Sequence, residues 1–147
     1  MSNKKVILVT GASSGIGYQT AEQLAKEGHI VYGAARRVDA MKPLEAFGVT
    51  PVRLDITDEA SIKEALNLII KKENRIDVLV NNAGYGSYGA VEDVRIEEAK
   101  MQFEVNIFGL ARLTQLVLPY MRKQKSGRII NVGSMGGRLT SCFGAWY

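Results

Sequence analysis

Three observations predict an α/β fold in which a parallel sheet is covered by helices on both faces. Apolar runs without polar alternation recur along the chain, a helical pattern follows each of the first four, and a glycine cluster stands at the first strand-to-helix junction. Strands that are apolar on both faces need cover on both, and strand–helix–strand units at this spacing provide it through right-handed crossovers. The expected architecture is one doubly wound domain over residues 1–147, with strand order 3-2-1-4-5 and no further strand after the fifth.

Residues 4–10, KKVILVT, form the first run, which stops at glycine. From Gly15 a helix is expected, with Ile16, Thr20 and Leu24 at spacing four beside Ala21 and Ala25, ending at Gly28. HIVYGAAR reads as the second strand, MKPLEAF as a short helical turn and VTPVRLD as the third strand. Pro51 assigns that third strand to a position near the sheet edge, because proline cannot donate to a central ladder. TDEASIKEALNLIIKKEN predicts a helix with Thr57 as its N-cap, Asp58 and Glu59 in the first turn, and Ile62, Leu66 and Ile69 on one face. RIDVLVNNAG is the fourth strand and its turn. IEEAKMQFEVNIFGLARLTQLVLPYMRKQ reads as one long helix, bent or broken near Pro119, and GRIINVGS as the fifth strand. Along the long helix Phe103, Ile107, Leu110, Leu113, Val117 and Met121 run down one side, with Phe108, Leu116, Leu118 and Tyr120 on others. A helix apolar on most sides is expected to be buried on most sides.

Composition removes several function classes. With 46% hydrophobic and 23% charged residues the chain is ordinary globular material, without low-complexity tracts. The MSNKK start leads into an apolar run too short for a signal-peptide core or a membrane span, so a cytoplasmic protein with no membrane partner is expected. The net charge of +4 comes from scattered Lys and Arg that are not interleaved with aromatic residues, which argues against a nucleic-acid partner. A lone Cys142 and a lone His29 offer no cluster with metal-ligand spacing, so no metal is expected. Cys142, without a basic partner to activate it, reads as a small buried thiol.

TGASSGIG, residues 10–17, lies between the first strand and the first helix. Free N–H groups and the dipole at a helix start favour an anion, and doubly wound folds hold pyrophosphate there. Gly11 permits the tight turn, Gly15 the close approach of a phosphate and Gly17 close contact of the helix, while Ser13, Ser14 and Ile16 complete the loop against the cofactor. At the end of the second strand an Asp or Glu would accept hydrogen bonds from ribose hydroxyls and repel a 2′-phosphate. This chain reads YGAARR, with Ala35 at that position followed by Arg36 and Arg37, whose forked donors suit a phosphate. NADP(H) is favoured over NAD(H).

At this point the residues resemble the short-chain dehydrogenases/reductases. TGASSGIG matches that family's TGxxxGxG, whose glycine spacing differs from the GxGxxG of other Rossmann enzymes, and NNAG at residues 81–84 is a second signature. Asp55, Asn106, Ser134 and Tyr147 fall in family order along the whole chain. The resemblance implies that Asp55 and Ile56 line an adenine pocket and that Asn82, Ala83 and Gly84 shape the fourth strand's turn beside the cofactor. It implies that Asn106 binds a relay water through its main chain, that Ser134 hydrogen-bonds the substrate oxygen and that Tyr147 is the catalytic acid or base. The long helix would serve subunit contacts, giving a homo-oligomer.

The implied reaction is hydride transfer between nicotinamide and a carbonyl or secondary alcohol carbon of a small substrate. A phenol of pKa about 10 is poorly matched to neutral pH, and the family places a lysine about one helical turn after the tyrosine to lower it. The sequence ends on Tyr147, so the expectation is the front portion of a longer enzyme, inactive or nearly so alone. A nucleotide-binding sensor or interaction module on the same fold is the alternative, and fold by itself does not separate the two. The pair Ser134 and Tyr147 favours the enzyme.

Overall fold

The computed structural model describes residues 4–139, 141–144 and 146–147. In chain order the elements are β1 (Val6–Thr10), α1 (Gly15–Lys26), β2 (Ile30–Ala35), a 3-10 segment (Asp39–Phe47), β3 (Val49–Arg53), α2 (Glu59–Glu73) and β4 (Val78–Asn81). There follow α3 (Ile96–Phe103), a π-helical turn (Glu104–Gly109), α4 (Leu110–Gln124), β5 (Arg128–Asn131) and a short 3-10 turn (Met135–Gly137). The five strands form one parallel sheet in the order β3-β2-β1-β4-β5, as the alternating pattern predicts, with β3 and its Pro51 at one edge.

Strand periodicity divides the core in two. Val6 and Leu8 of β1 face one cluster with Tyr32, Val52, Leu79, α2 and α4, while Ile7 and Val9 face the other with Val31, Val80, α1 and the 3-10 segment. Every residue of β1 is therefore buried, which explains an apolar run without alternation. On α2 the expected stripe Ile62, Leu66 and Ile69 is buried, with Ala65 beside it. Tyr32, fully buried at its ring, donates to the Glu73 carboxylate at 2.7 Å and so ties β2 to the end of α2. Burial first, and then the Glu73 carboxylate, push the Tyr32 phenol well above its ordinary pKa.

Four expectations are corrected. The N-cap of α2 is Asp58, whose carboxylate accepts the Ala60 N–H at 2.9 Å, because Thr57 is taken by Asp55. On α1 the buried residues are Gly17 and Ala21, whereas Ile16 is 65% exposed: close packing on the sheet selects the small side chains. Cys142 is exposed rather than buried, since it lies in a surface turn beside Phe143, which has φ +62°. Finally, the long helix is not interrupted near Pro119, which sits inside α4. Its irregularity is the π turn ending at Gly109, where a Cβ would stand 2.7 Å from the Ile56 carbonyl oxygen. Leu113, Val117 and Met121 anchor α4 in the core, whereas Phe103, Ile107 and Phe108 remain exposed.

Gly109→Ala is expected to destabilise the fold by about 1–3 kcal/mol through overpacking against β3's exit, read as a lower denaturant midpoint with an unchanged m value.

Candidate functional site

The strand order reverses between β1 and β4, and a crevice opens outside the carboxyl ends of strands flanking such a switch point. Here Thr10 closes β1 and holds the two turns together. Its hydroxyl accepts the backbone N–H of Asn82 at 2.9 Å and of Ala83 at 3.0 Å, and donates to the Val80 carbonyl at 3.3 Å. Asn82 answers by donating its side-chain amide to the Thr10 carbonyl at 3.0 Å and more distantly to that of Gly11 at 3.4 Å. Glycine is required on both sides of this knot. Gly11 has φ +67° and a Cβ there would lie 2.9 Å from Ala83 Cα, while a Cβ on Gly17 would lie 2.5 Å from the Gly11 oxygen.

A cleft of about 610 Å³ lies over the knot. Its floor includes Gly11, Ser13 and Ser14, and its walls carry Arg36 and Arg37 from the end of β2, Asp55 and Ile56 after β3, and Ala83 and Gly84 after β4. Ser14 is the N-cap residue of α1 and makes no side-chain cap, so the helix start and the serine hydroxyl both stand at this cleft. Gly15 has φ +56° and open space at its missing Cβ. Asp55 is fixed by Thr57, whose amide and hydroxyl donate to its carboxylate at 3.0 and 2.8 Å, while its own amide donates to the Ser61 hydroxyl at 3.0 Å. Burial works to raise the Asp55 pKa, but the Thr57 hydrogen bonds, with the charges of Arg36 and Arg53, outweigh it and hold the carboxyl below its ordinary range.

A second cleft of about 460 Å³ shares Ala83, Gly84 and Tyr85 with the first and is lined by Ile16, Asn106, Ser134 and Tyr147. The π turn presents Asn106, whose side chain clasps the Tyr85 main chain by accepting its N–H at 3.0 Å and donating to its carbonyl at 2.7 Å. Ser134 accepts the Gly136 N–H at 3.0 Å, and Gly136 separates it from the tyrosine: a Cβ there would stand 2.8 Å from Tyr147 Cδ1 and 3.3 Å from Ser134 Oγ. The sequence-predicted residues thus divide between two connected clefts, except that Gly17 and Asn82 pack behind the first and Gly15 is exposed and lines neither.

Thr57, Ser61 and Gln102 are structural contributors that motif reading passes over, and Thr10 enters it only as the first letter of the glycine motif. Thr10 is also visible as a polar residue ending an otherwise apolar run. Among the described residues no group of His, Cys, Asp and Glu could hold a metal ion, and no helix is long and apolar enough to cross a membrane. Thr10→Val, which keeps the shape but strands two amides, is expected to cost about 1–3 kcal/mol in denaturant unfolding, whereas Thr10→Ser restores most of it.

The family model described as short chain dehydrogenase matches residues 5–147. The chain is 44% identical over 144 residues to a 3-ketodihydrosphingosine reductase of Bacteroides thetaiotaomicron, covering 97% of this chain and 52% of the relative. A short-chain dehydrogenase from Streptomyces avermitilis superposes with TM-score 0.94 at 40% identity, over all of this chain and 55% of that one. A variant of actinorhodin polyketide ketoreductase solved with NADPH superposes with TM-score 0.92 at 32% identity, over all of this chain and 59% of that one. The chain therefore spans about half the length of the relatives it matches. With its five-stranded parallel sheet and its glycine-loop crevice, it belongs to the short chain dehydrogenase family.

Proposed function

We propose that residues 1–147 form the coenzyme-binding portion of a cytoplasmic NADP(H)-dependent oxidoreductase that interconverts a carbonyl and a secondary alcohol. The observation carrying this reading is the junction of the two clefts at Ala83, Gly84 and Tyr85, which puts anion-binding groups on one side and Ser134 with Tyr147 on the other. A sensor without turnover has no use for that pair on one cleft.

The residues suit the coenzyme. Ser13, Ser14 and the start of α1 would receive the pyrophosphate, and Asp55 and Ile56 the adenine side. Arg36 and Arg37 are exposed at the cleft edge beside Ala35, and the next acid, Asp39, is paired with Lys42 at 2.7 Å, so no carboxylate in β2's exit opposes a 2′-phosphate. The solved ketoreductase relative holds NADPH, in keeping with this assignment. When bound, the nicotinamide supplies or accepts the hydride. The chain's own groups would serve the oxygen and the proton: the Ser134 hydroxyl fixes the substrate oxygen, and the Tyr147 phenol holds the proton. The Asn106 side chain is occupied by Tyr85, so a relay water at this position would be held by its main chain. Exposed Phe103, Ile107 and Phe108 offer an apolar face for a second subunit.

Two measurements test the proposal. Fluorescence titration should show tighter binding of NADPH than of NADH, and Arg36→Ala should weaken NADPH by roughly tenfold or more while sparing NADH, the scale of one charge-assisted hydrogen bond. Equal affinities for the two coenzymes would sink the NADP assignment. Residues 1–147 span about half the length of the relatives, so their turnover alone is expected to be lower by about 10² to 10⁴ than that of the same residues joined to the remaining half of the Bacteroides reductase.

A further inference from the structure

Two amide side chains one turn apart, Gln102 and Asn106, hold the loop after β4 at two points. Asn106 clasps Tyr85 and Gln102 takes Ser87. Gln102 is almost fully buried, with 2% of its surface exposed. Its Oε1 accepts both the Ser87 N–H at 2.6 Å and the Ser87 hydroxyl at 2.9 Å, which leaves Nε2 to face the other way. There it donates to the main-chain carbonyl of Trp146, the residue before Tyr147.

The loop held by Gln102 is also the bed on which Tyr147 lies. A Cβ on Gly86 would stand 3.1 Å from Tyr147 Cδ2, the Tyr88 and Tyr147 rings are 6.1 Å apart, and the Gly89 N–H donates to the Phe143 carbonyl at 2.8 Å. Among the described residues, Gln102 is the one side chain hydrogen-bonded to both partners of this contact, the loop through Oε1 and the tyrosine's own stretch of chain through Nε2. From this we infer that Gln102 is a positioning residue for Tyr147. It sets where the phenol stands in the second cleft without touching the reacting atoms. The assignment rests on the oxidoreductase reading for its catalytic meaning but not for its geometry.

Trp146 is the only tryptophan in the chain, so its emission reports the gripped segment directly. Gln102→Glu keeps acceptor oxygens for Ser87 and, when ionised, turns an acceptor toward the Trp146 carbonyl; when protonated it regains a donor. At neutral pH this variant should show red-shifted emission and stronger acrylamide quenching, with NADPH affinity unchanged. Lowering the pH toward the carboxyl's own range should return the emission toward that of the unsubstituted chain, whose emission stays constant over that interval. A general loosening of the fold would weaken NADPH binding as well. Residual kcat should fall by about 10²-fold at unchanged KM for NADPH, the penalty of roughly an ångström's misplacement. Ser87→Ala, which leaves the Nε2 arm intact, should shift the emission less. Unmoved emission and quenching in Gln102→Glu, or a shift that low pH does not reverse, would overturn the inference. Failure of the unsubstituted chain to bind NADPH would instead refute the coenzyme reading and leave the emission result to decide the role of Gln102.

Discussion

One hydroxyl governs the geometry from which the rest follows. Parallel neighbours β1 and β4 leave the sheet in turns that must part to form a crevice yet stay in register, and Thr10 meets both demands by joining two amides and a carbonyl of β4 and its turn. Because that oxygen sits at the end of the most buried strand, its bonds form away from competing water and fix the turn strongly. Asn82 returns the contact from the other side, so the turns are cross-linked rather than merely adjacent.

The glycines, the π turn and the amide clasps read as consequences of holding those turns close. With the β4 turn resting on Gly11 and the first turn of α1 resting on Gly11 in its turn, neither Gly11 nor Gly17 has room for a side chain. Gly109 approaches Ile56 in the same manner, and the helix yields by adopting a π turn that also carries Asn106 to the loop after β4. Backbone and amide groups therefore build the floor of both clefts, while the chemically distinctive side chains stand at their rims.

Much of this was legible from residue pattern. Doubly apolar strands and their intervening helices carry the sheet order, and the glycine spacing with NNAG carries the crevice, because each is a local necessity of the backbone. What pattern could not supply were choices among near-equivalent neighbours. Thr57 and Asp58 are both good caps, and only the demand of Asp55 for the Thr57 hydroxyl decides between them. Ile16 and Gly17 compete for the buried side of α1, and the close approach of the loop decides for glycine. Proline is the usual reason for an irregular helix, but the π turn here falls at Gly109, where the missing Cβ lets Ile56 after β3 lie against the helix. Gln102 had no signal at all, since its partners Ser87 and Trp146 are distant in sequence.

The arginines at the exit of β2 stand in solvent, whereas Gly11 and Ser13 of the loop are half-buried and Ala12 between them is buried. Dissolved ions screen attraction between exposed charges over about 8 Å at physiological ionic strength, but leave short contacts at a half-buried backbone nearly untouched. Under the proposed reading the two halves of coenzyme recognition thus respond differently to the medium. Concentrated salt would erode the ability to tell a phosphorylated ribose from a plain one before it loosened the grip on the dinucleotide itself.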